Sequence, residues 1–191
     1  MTKNINNKYR ETKSFSSKVK KLFISTVHHK YFNYVRDIII LAIVLIGVMA
    51  WQSKDMLSVD GNTIVKQRNL VTLDGKVSPL LSDTKPNLIY FFAPWCTICD
   101  FSIDNLSYLN SEKVNVVVVA LDYKSIEEVS EFVQKNSVSA PIFLGDESMK
   151  EEFLIRGYPS YYMLNENNEV VSRSYGYSTA VGLKLREMFG S

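Results

Sequence analysis

The sequence feature that most constrains the fold is a Cys-x-x-Cys pair placed between an apolar run and an amphipathic segment. Residues 88–93 are continuously apolar and aromatic, as in a buried β-strand, and Pro94 ends the run. Trp95, Cys96 and Cys99 follow, and apolar residues then recur at the spacing of a helix. The two cysteines are therefore expected where a buried strand turns directly into a helix.

This position has a chemical consequence for the two sulfur atoms. The first turn of a helix carries unpaired N–H groups and the positive end of the helix dipole, which stabilise a thiolate. Because the thiolate is the attacking form of cysteine, Cys96 is predicted to be the nucleophile. Cys99 lies one turn further along, and it is predicted to be more buried and to resolve the mixed disulfide that Cys96 forms.

Two other interpretations of the pair agree less well with the sequence. A structural zinc site needs four Cys or His ligands, whereas the chain has two of each, and His28 and His29 lie far upstream in a segment of different character. A pair of inert core cysteines would not account for the preceding Trp95 or for the strand-to-helix context. The sequence therefore predicts redox chemistry, with neither a metal nor a cofactor.

The charge is divided unevenly along the chain, although its net value is only +2. Residues 1–36 hold nine Lys or Arg and one Glu, whereas the remainder carries 13 basic and 19 acidic residues. An uninterrupted apolar run follows at 38–51. A basic flank beside such a run is typical of a cytoplasmic segment that orients a membrane anchor, and it disfavours nucleic-acid binding. We expect a basic cytoplasmic segment at 1–36, a transmembrane anchor and linker at 37–56, and an extracytoplasmic domain at 57–191.

A cleaved signal peptide and a buried core helix are the alternatives to an anchor. Val48, Met49 and Ala50 loosely fit a small-residue cleavage site, but the basic region before the apolar run is long for a signal peptide. A core helix would explain why the run is shorter than the ~20 residues that span a bilayer. It would not explain the adjacent excess of positive charge, so the anchor is favoured.

The remaining segments indicate an α/β domain, and the 46% hydrophobic content supplies enough core residues for it. Residues 114–121 are a continuous β-branched run, as in a buried parallel strand, and Ser125 with Glu128 forms a capping box for a helix that ends at Lys135. The other expected elements are strand runs at 63–65, 70–73 and 77–81 with a turn at Asp74 and Gly75, a helix at 96–110, a strand at 140–144, a helix at 146–156, strands at 161–164 and 170–175, and a last helix at 179–189.

The run Phe92-Ala93-Pro94-Trp95-Cys96-x-x-Cys99 resembles the active-site signature of the thioredoxin superfamily. With the expected anchor, the chain is most similar to the membrane-anchored, extracytoplasmic thiol:disulfide oxidoreductases of bacteria, the TlpA/ResA-like proteins and the suppressor-for-copper-sensitivity D type. The resemblance covers about residues 60–190. It implies an α/β thioredoxin fold, a central mixed sheet flanked by helices, with an N-terminal hairpin and a strand-helix insertion, preceded by one transmembrane helix.

The resemblance also assigns site residues outside the cysteine pair. Pro159 is expected to be a cis-proline that faces the pair and keeps a strand edge open for an extended substrate chain. Tyr158, just before it, is expected to pack against the partner peptide or to shield the sulfurs. Pro94 and Trp95 complete the expected support of the active site.

Tyr90 departs from the family pattern. Thioredoxins carry a buried Asp six residues before the first Cys, where it helps to shuttle a proton, and a phenol is a poor base near neutral pH. Asp100, Asp122 and Glu128 are acidic candidates for this role, but none of them occupies the matching position. The proton-shuttle role is therefore either absent from this protein or filled by another group. A simpler interpretation of Tyr90 is that it is a large core residue.

The residues between the cysteines, Thr97 and Ile98, also depart from the pattern. They supply no imidazole and no positive charge to stabilise a thiolate, and Asp100 beside them is negative. A less stabilised thiolate favours the disulfide form, so the sequence predicts a moderately to strongly reducing couple.

Together these features predict a protein that reduces or exchanges disulfides in extracytoplasmic proteins and contributes to cell redox homeostasis. Its expected partners are protein disulfides or thiols, a membrane-embedded thiol electron donor and the lipid bilayer of the bacterial inner membrane, with the catalytic domain in the periplasm or its equivalent. One alternative is a disulfide-forming oxidase that uses the same residues. Another is a copper-binding or assembly module with Cys96 and Cys99 as soft ligands, although the downstream His of the copper-delivery precedent is missing after His29.

Overall fold

The computed structural model of the protein describes residues 33–48, 51 and 53–189. The chain divides into two compact units, one ending at Val48 and the other beginning at Met49. The second unit contains the cysteine pair, and it is the part of the molecule in which the site is built.

The first unit contributes one described element, helix α1, at residues 33–48. Most of the predicted basic segment 1–36 lies outside the described residues, as do positions 49, 50 and 52 of the predicted anchor and linker. Across the part of the chain that the structure describes, no helix is long and apolar enough to cross a membrane.

The second unit is built on two β-sheets. A two-stranded sheet pairs β1 with β2 in antiparallel fashion, and a five-stranded sheet has the order β5-β4-β3-β6-β7. In the larger sheet β3, β4 and β5 are parallel, whereas β6 and β7 are antiparallel to their neighbours. The strands are β1 (Asn69–Val71), β2 (Val77–Pro79), β3 (Asn87–Phe92), β4 (Asn115–Ala120), β5 (Ile142–Leu144), β6 (Ser160–Leu164) and β7 (Val170–Tyr175). This is the mixed central sheet that the resemblance implied.

Strand β3 is the centre of the sheet, and all six of its residues are buried. Its side chains alternate between two covered faces. On one face Phe92 stacks on Phe132 with 4.6 Å between ring centroids, and on the other Phe91 contacts Phe153 at 4.9 Å. A strand buried on both faces has no polar alternation, which is why residues 88–92 of β3, after Asn87, form an uninterrupted apolar run.

Three helices of this unit begin at side-chain caps. Cys96 caps α2, Ser125 caps α3 and Asp146 caps α4, in each case by accepting the N–H of the third residue along. The predicted capping box is confirmed at its first half only, because the carboxylate of Glu128 accepts the N–H of Lys124 and not that of Ser125. The elements are α2 (Thr97–Ser102), a 3₁₀ helix (Ile103–Tyr108), α3 (Ile126–Lys135), α4 (Glu147–Glu152) and α5 (Ala180–Phe189).

The single helix predicted at 96–110 is wrong in its extent, because α2 ends at Ser102 and the chain continues as a 3₁₀ helix. Ser102 is fully buried, and its hydroxyl donates to the carbonyl of Cys99 at 3.4 Å. A serine hydroxyl bonded to a carbonyl of the preceding turn competes with the α-helical ladder and bends it. The short α2 keeps the first turn, where the cysteines lie, separate from the segment that follows.

Helix α4 is also shorter than the predicted range of 146–156. It ends at Glu152, and Leu154 adopts a left-handed conformation with φ of +50°. A left-handed residue cannot continue an α-helix, so the chain turns there towards β6.

The N-terminal hairpin is confirmed by the pairing of β1 with β2 around Gly75, whose φ of +79° suits a glycine in the turn. The hairpin joins the edge of the larger sheet, since the N–H of Leu73 donates to the carbonyl of Ile142 at 2.8 Å. The run at 63–65 is not a hairpin strand. Ile64 instead forms an isolated antiparallel bridge with Glu169.

Residues at the start of the second unit pack closely onto it. Met56 is buried, and the guanidinium of Arg173 donates to the carbonyls of Met56 and Leu57 at 2.7 and 2.6 Å. Asp55 pairs with Arg156 at 2.9 Å. A fragment that preserves these contacts has to begin no later than Asp55.

Asn87, the first residue of β3, is a buried polar residue. Its side-chain oxygen accepts the N–H of Ser82 at 2.7 Å and the amide of Asn115 at 2.8 Å, and its own amide donates to the carbonyl of Ser82 at 3.0 Å. A buried amide with all of these partners ties the start of β3 to the loop before it and to β4. The strand that delivers the cysteines is therefore fixed at its beginning.

Candidate active site

The structure places the cysteine pair at the junction of β3 and α2, as predicted. Cys96 is the N-cap residue of α2, and its Sγ accepts the backbone N–H of Cys99 at 3.1 Å. The two residues form a disulfide with their Cα atoms 5.2 Å apart. In the reduced protein the same N–H and the helix N-terminus would face a thiolate on Cys96.

The two cysteines differ in their access to solvent. Cys96 is 7% exposed, whereas Cys99 is completely buried. The prediction that Cys99 is the more buried of the pair is confirmed. This order supports the roles assigned from the sequence, because a partner disulfide reaches the less buried cysteine of the pair more readily.

Trp95 lies beside the disulfide with 63% of its surface exposed. Its indole N–H donates to the backbone carbonyl of Asp122 at 2.9 Å. Its ring meets the ring of Tyr158 edge to face, with 5.7 Å between the centroids. Pro94, between β3 and Trp95, is partly buried. An exposed aromatic ring held in a fixed orientation is a suitable wall for a partner peptide.

The peptide bond between Tyr158 and Pro159 is cis, as the resemblance implied. The carbonyl of Pro159 accepts the N–H of Gly176 at 2.8 Å, and the contact of Tyr158 with Trp95 brings this loop to the cysteine motif. Burial raises the pKa of Tyr158, and the nearby Asp122 carboxylate adds to the effect. Tyr158 is therefore a neutral ring that contacts the active-site tryptophan, in agreement with a packing or shielding role.

Tyr90 lies underneath the pair and is fully buried. Its hydroxyl is 3.1 Å from Ser102 Oγ and donates to the carbonyl of Cys99 at 3.5 Å. Burial raises the pKa of Tyr90 far above its usual value, and the neighbouring Tyr161 adds to this effect. The phenol therefore stays protonated, so it supports the backbone of Cys99 and cannot accept a proton as the aspartate of thioredoxins does.

The three acidic candidates for a proton shuttle are all engaged elsewhere. Asp100 pairs with Lys135 at 2.7 Å and with Asn136 at 2.9 Å, and these hydrogen bonds outweigh the effect of burial and lower the pKa of Asp100. The Asp122 carboxylate pairs with Lys150, and Glu128 accepts the N–H of Lys124. No motif in the sequence distinguishes among them, and in the structure each carboxylate is held by a partner other than the cysteines.

Sequence reasoning missed three residues that support the site, namely Ser102, Lys135 and Lys150. Each of these side chains contacts a residue in another element or another helical turn. No sequence motif or periodicity identifies such a residue. Around the cysteines and elsewhere in the described residues, no group of three or more His, Cys, Asp or Glu side chains could hold a metal ion.

Comparison with known proteins agrees with this geometry. The family model described as Redoxin matches residues 60–185, which is more than half of the chain. The thioredoxin-like protein YneN of Bacillus subtilis is 26% identical over 151 residues, covering 73% of this chain and 89% of its own length. The sporulation thiol-disulfide oxidoreductase A of the same organism is also 26% identical, over 158 residues that cover 78% of this chain and 95% of its own.

Solved structures share the fold. The crystal structure of a thiol:disulfide interchange protein of the thioredoxin family from Chlorobium tepidum superposes with a TM-score of 0.60 at 19% identity, covering 67% of this chain and 95% of that chain. The structure of StoA from Bacillus subtilis gives 0.57 at 23% identity, with 63% of this chain and 95% of that chain covered. With a disulfide-forming Cys-x-x-Cys at the start of α2, the chain belongs to the redoxin family and is a thiol:disulfide oxidoreductase of the thioredoxin superfamily.

Proposed function

We propose that this protein is a membrane-anchored, extracytoplasmic oxidoreductase that reduces or exchanges the disulfides of other proteins. Cys96 attacks one sulfur of the partner disulfide, the partner's other sulfur leaves as a thiolate, and a mixed disulfide joins the two proteins. Cys99 then attacks Cys96, which forms the Cys96–Cys99 disulfide and releases the second partner sulfur. The partner gains two electrons and this protein loses two.

The environment of the Cys96 sulfur is the observation that carries the reductive direction. Within the described residues, the hydrogen bond to its Sγ comes from the N–H of Cys99, and no cationic side chain bonds to it. Lys135, on the neighbouring helix, is paired with Asp100. An oxidising couple needs a strongly stabilised thiolate, so a sulfur with backbone stabilisation alone favours a reducing couple.

The pattern of the N-terminal sequence supports the anchor. Residues 38–48 carry no polar or charged side chain, so every face of this part of helix α1 is apolar. A helix that is apolar on all faces is typical of a buried core helix or a membrane span. The excess of basic residues upstream favours the span, with the catalytic unit on the outer side.

An extracytoplasmic reductant also needs a supply of electrons. After it reduces a partner, this protein is in its disulfide form. Cytoplasmic thioredoxin cannot reduce that disulfide, because the membrane separates the two proteins. We therefore propose a membrane-embedded dithiol protein as the electron donor. Its thiols would reduce the Cys96–Cys99 disulfide by thiol–disulfide exchange, and the donor would become the disulfide.

The reduction potential of the Cys96–Cys99 couple tests the direction. The full-length protein in detergent micelles is equilibrated with dithiothreitol or glutathione buffers, and the fraction of disulfide is read from thiol labelling. We expect a value near that of thioredoxin, about −270 mV. A value near about −120 mV would mean that the protein oxidises its partners and that the proposed direction is wrong.

A membrane-impermeant maleimide tests the location in intact cells. Because the chain has only two cysteines, labelling reports directly on the catalytic unit. We expect the reduced protein to be labelled without permeabilising the cells. A matched control carries Cys96→Ser, Cys99→Ala and Ser16→Cys, which moves the thiol to the basic segment, and we expect it to be labelled only after permeabilisation. The reverse pattern would place the catalytic unit in the cytoplasm.

A further inference from the structure

The loop after β4 carries a residue in an unfavourable backbone conformation beside the active site. Asp122 has φ of +49°, in the left-handed region that side chains other than glycine seldom adopt. Its carbonyl is the one that accepts the indole N–H of Trp95. A strained residue persists when its surroundings hold it in place, so the contacts of Asp122 decide where this carbonyl points.

Lys150 supplies the strongest of these contacts. Its Nζ donates to both carboxylate oxygens of Asp122 at 2.9 Å. Both side chains are about a quarter exposed, and the carboxylate of Glu147 is more distant, 3.7 Å from the same Nζ. An ion pair that is partly withdrawn from water and bonded through both oxygens holds its partner more firmly than an exposed pair does.

Lys150 belongs to α4, the helix of the strand-helix insertion, and not to the elements that carry the cysteines. A chain of contacts leads from this helix to the active site, from Lys150 to the Asp122 carboxylate and from the Asp122 carbonyl to Trp95. Since Trp95 is 63% exposed, it has no enclosing core to fix its ring. Its orientation depends on the Asp122 carbonyl and on the ring of Tyr158.

We propose that Lys150 is a positioning residue for disulfide exchange with protein partners. By holding the Asp122 carboxylate it fixes the carbonyl that orients Trp95, and Trp95 with Tyr158 forms the wall against which the polypeptide around a partner disulfide docks. The helix inserted into the fold thereby sets recognition of the partner, while the cysteines perform the chemistry. This inference rests on exchange with protein disulfides, as in the proposed function, but not on the direction of electron flow.

The test compares two substrates of the full-length protein in micelles. We expect Lys150→Met to lower kcat/KM for the reduction of insulin by about tenfold, mainly through KM, because the wall is misplaced. The rate with the small disulfide 5,5′-dithiobis(2-nitrobenzoate), which needs no wall, should change by less than about twofold. Lys150→Arg, which keeps the ion pair, should recover most of the loss.

Fluorescence anisotropy of Trp95 gives an independent readout. In a Trp51→Phe background Trp95 is the only tryptophan, and we expect faster local motion of its ring in Lys150→Met. Asp122→Asn should have the same effect, and the double variant should be no worse than either single one, because both act through one contact. Lys76→Met, which removes the exposed pair with Asp74 in the hairpin, is the matched control and should change neither readout.

Three outcomes would overturn the inference. They are unchanged Trp95 anisotropy, equal losses with both substrates, and additive effects of the two single variants. If the parent protein itself does not reduce insulin, the proposed exchange with protein disulfides is wrong. The anisotropy measurement then still decides whether Lys150 positions Trp95.

Discussion

Replacing Cys99 with alanine should turn the protein into a trap that remains covalently joined to its partner, whereas Cys96→Ser should abolish exchange. The loss in Cys96→Ser is expected to be at least about three orders of magnitude, because a serine hydroxyl is scarcely ionised near neutral pH and is a poor nucleophile. These are the largest changes in activity that we expect from single substitutions.

The structure explains why Cys99→Ala should keep the first half of the reaction intact. The group that bonds to Cys96 Sγ is the backbone N–H of residue 99, which the substitution retains. Cys99 is fully buried, so alanine also avoids leaving an unpaired hydroxyl in the core, as serine would. Attack by Cys96 should therefore proceed, while the resolving thiol is missing.

Non-reducing electrophoresis of cells that express each variant provides the measurement. Cys99→Ala should accumulate adducts that disappear with dithiothreitol, and the variant with both Cys96→Ser and Cys99→Ala should show none. Adducts formed by Cys96→Ser in place of Cys99→Ala would assign the attack to Cys99 and reverse the roles of the two thiols.

Most of the fold follows from periodicity in the sequence. After their first residues, Asn87 and Asn115, strands β3 and β4 are continuous apolar runs because they lie inside a sheet that is covered on both faces, and the side chain of Ser125 caps α3. The cysteine pair was identifiable because its chemistry needs a fixed spacing at a helix start. These features are local, so a window of ten or so residues contains the information that specifies them.

The features that the sequence did not reveal depend on contacts between distant positions. Ser102 ends α2 because it is buried against Tyr90, and Asn87 is a core residue because Ser82 and Asn115 surround its amide. Lys150 meets Asp122 across 28 positions of the chain. No local sequence pattern identifies the serine, asparagine or lysine that makes such a contact, because its partner is brought near only when the sheet folds.

The resolving step should depend strongly on pH, because Tyr90 stands where thioredoxins have a buried carboxylate. We expect the rate at which Cys99 resolves the mixed disulfide to rise by about tenfold per pH unit between pH 6 and 8. A thiol buried in apolar surroundings is mainly protonated in this range. Its small thiolate fraction therefore grows in proportion to the hydroxide concentration. Over two pH units the rate should change by about a hundredfold.

Neither nearby acid should flatten this slope. The raised pKa of Tyr90 means that its phenol is already protonated at every pH in the range and accepts no proton from Cys99. The lowered pKa of Asp100 means that its carboxylate is ionised throughout and is a weak base, held by Lys135 and Asn136. No ionisation of these groups is therefore expected between pH 6 and 8.

Single-turnover release of the second partner thiol, followed from a preformed mixed disulfide, measures this step. Tyr90→Phe should preserve the slope while weakening the support of the Cys99 carbonyl, and Tyr90→Glu should raise the rate at pH 6 and flatten the profile by supplying a buried base. A level profile in the parent protein would show that another group takes the proton from Cys99. A profile that flattens only on Tyr90→Phe would mean that the phenol limits the step, in conflict with its position as a protonated donor to the backbone.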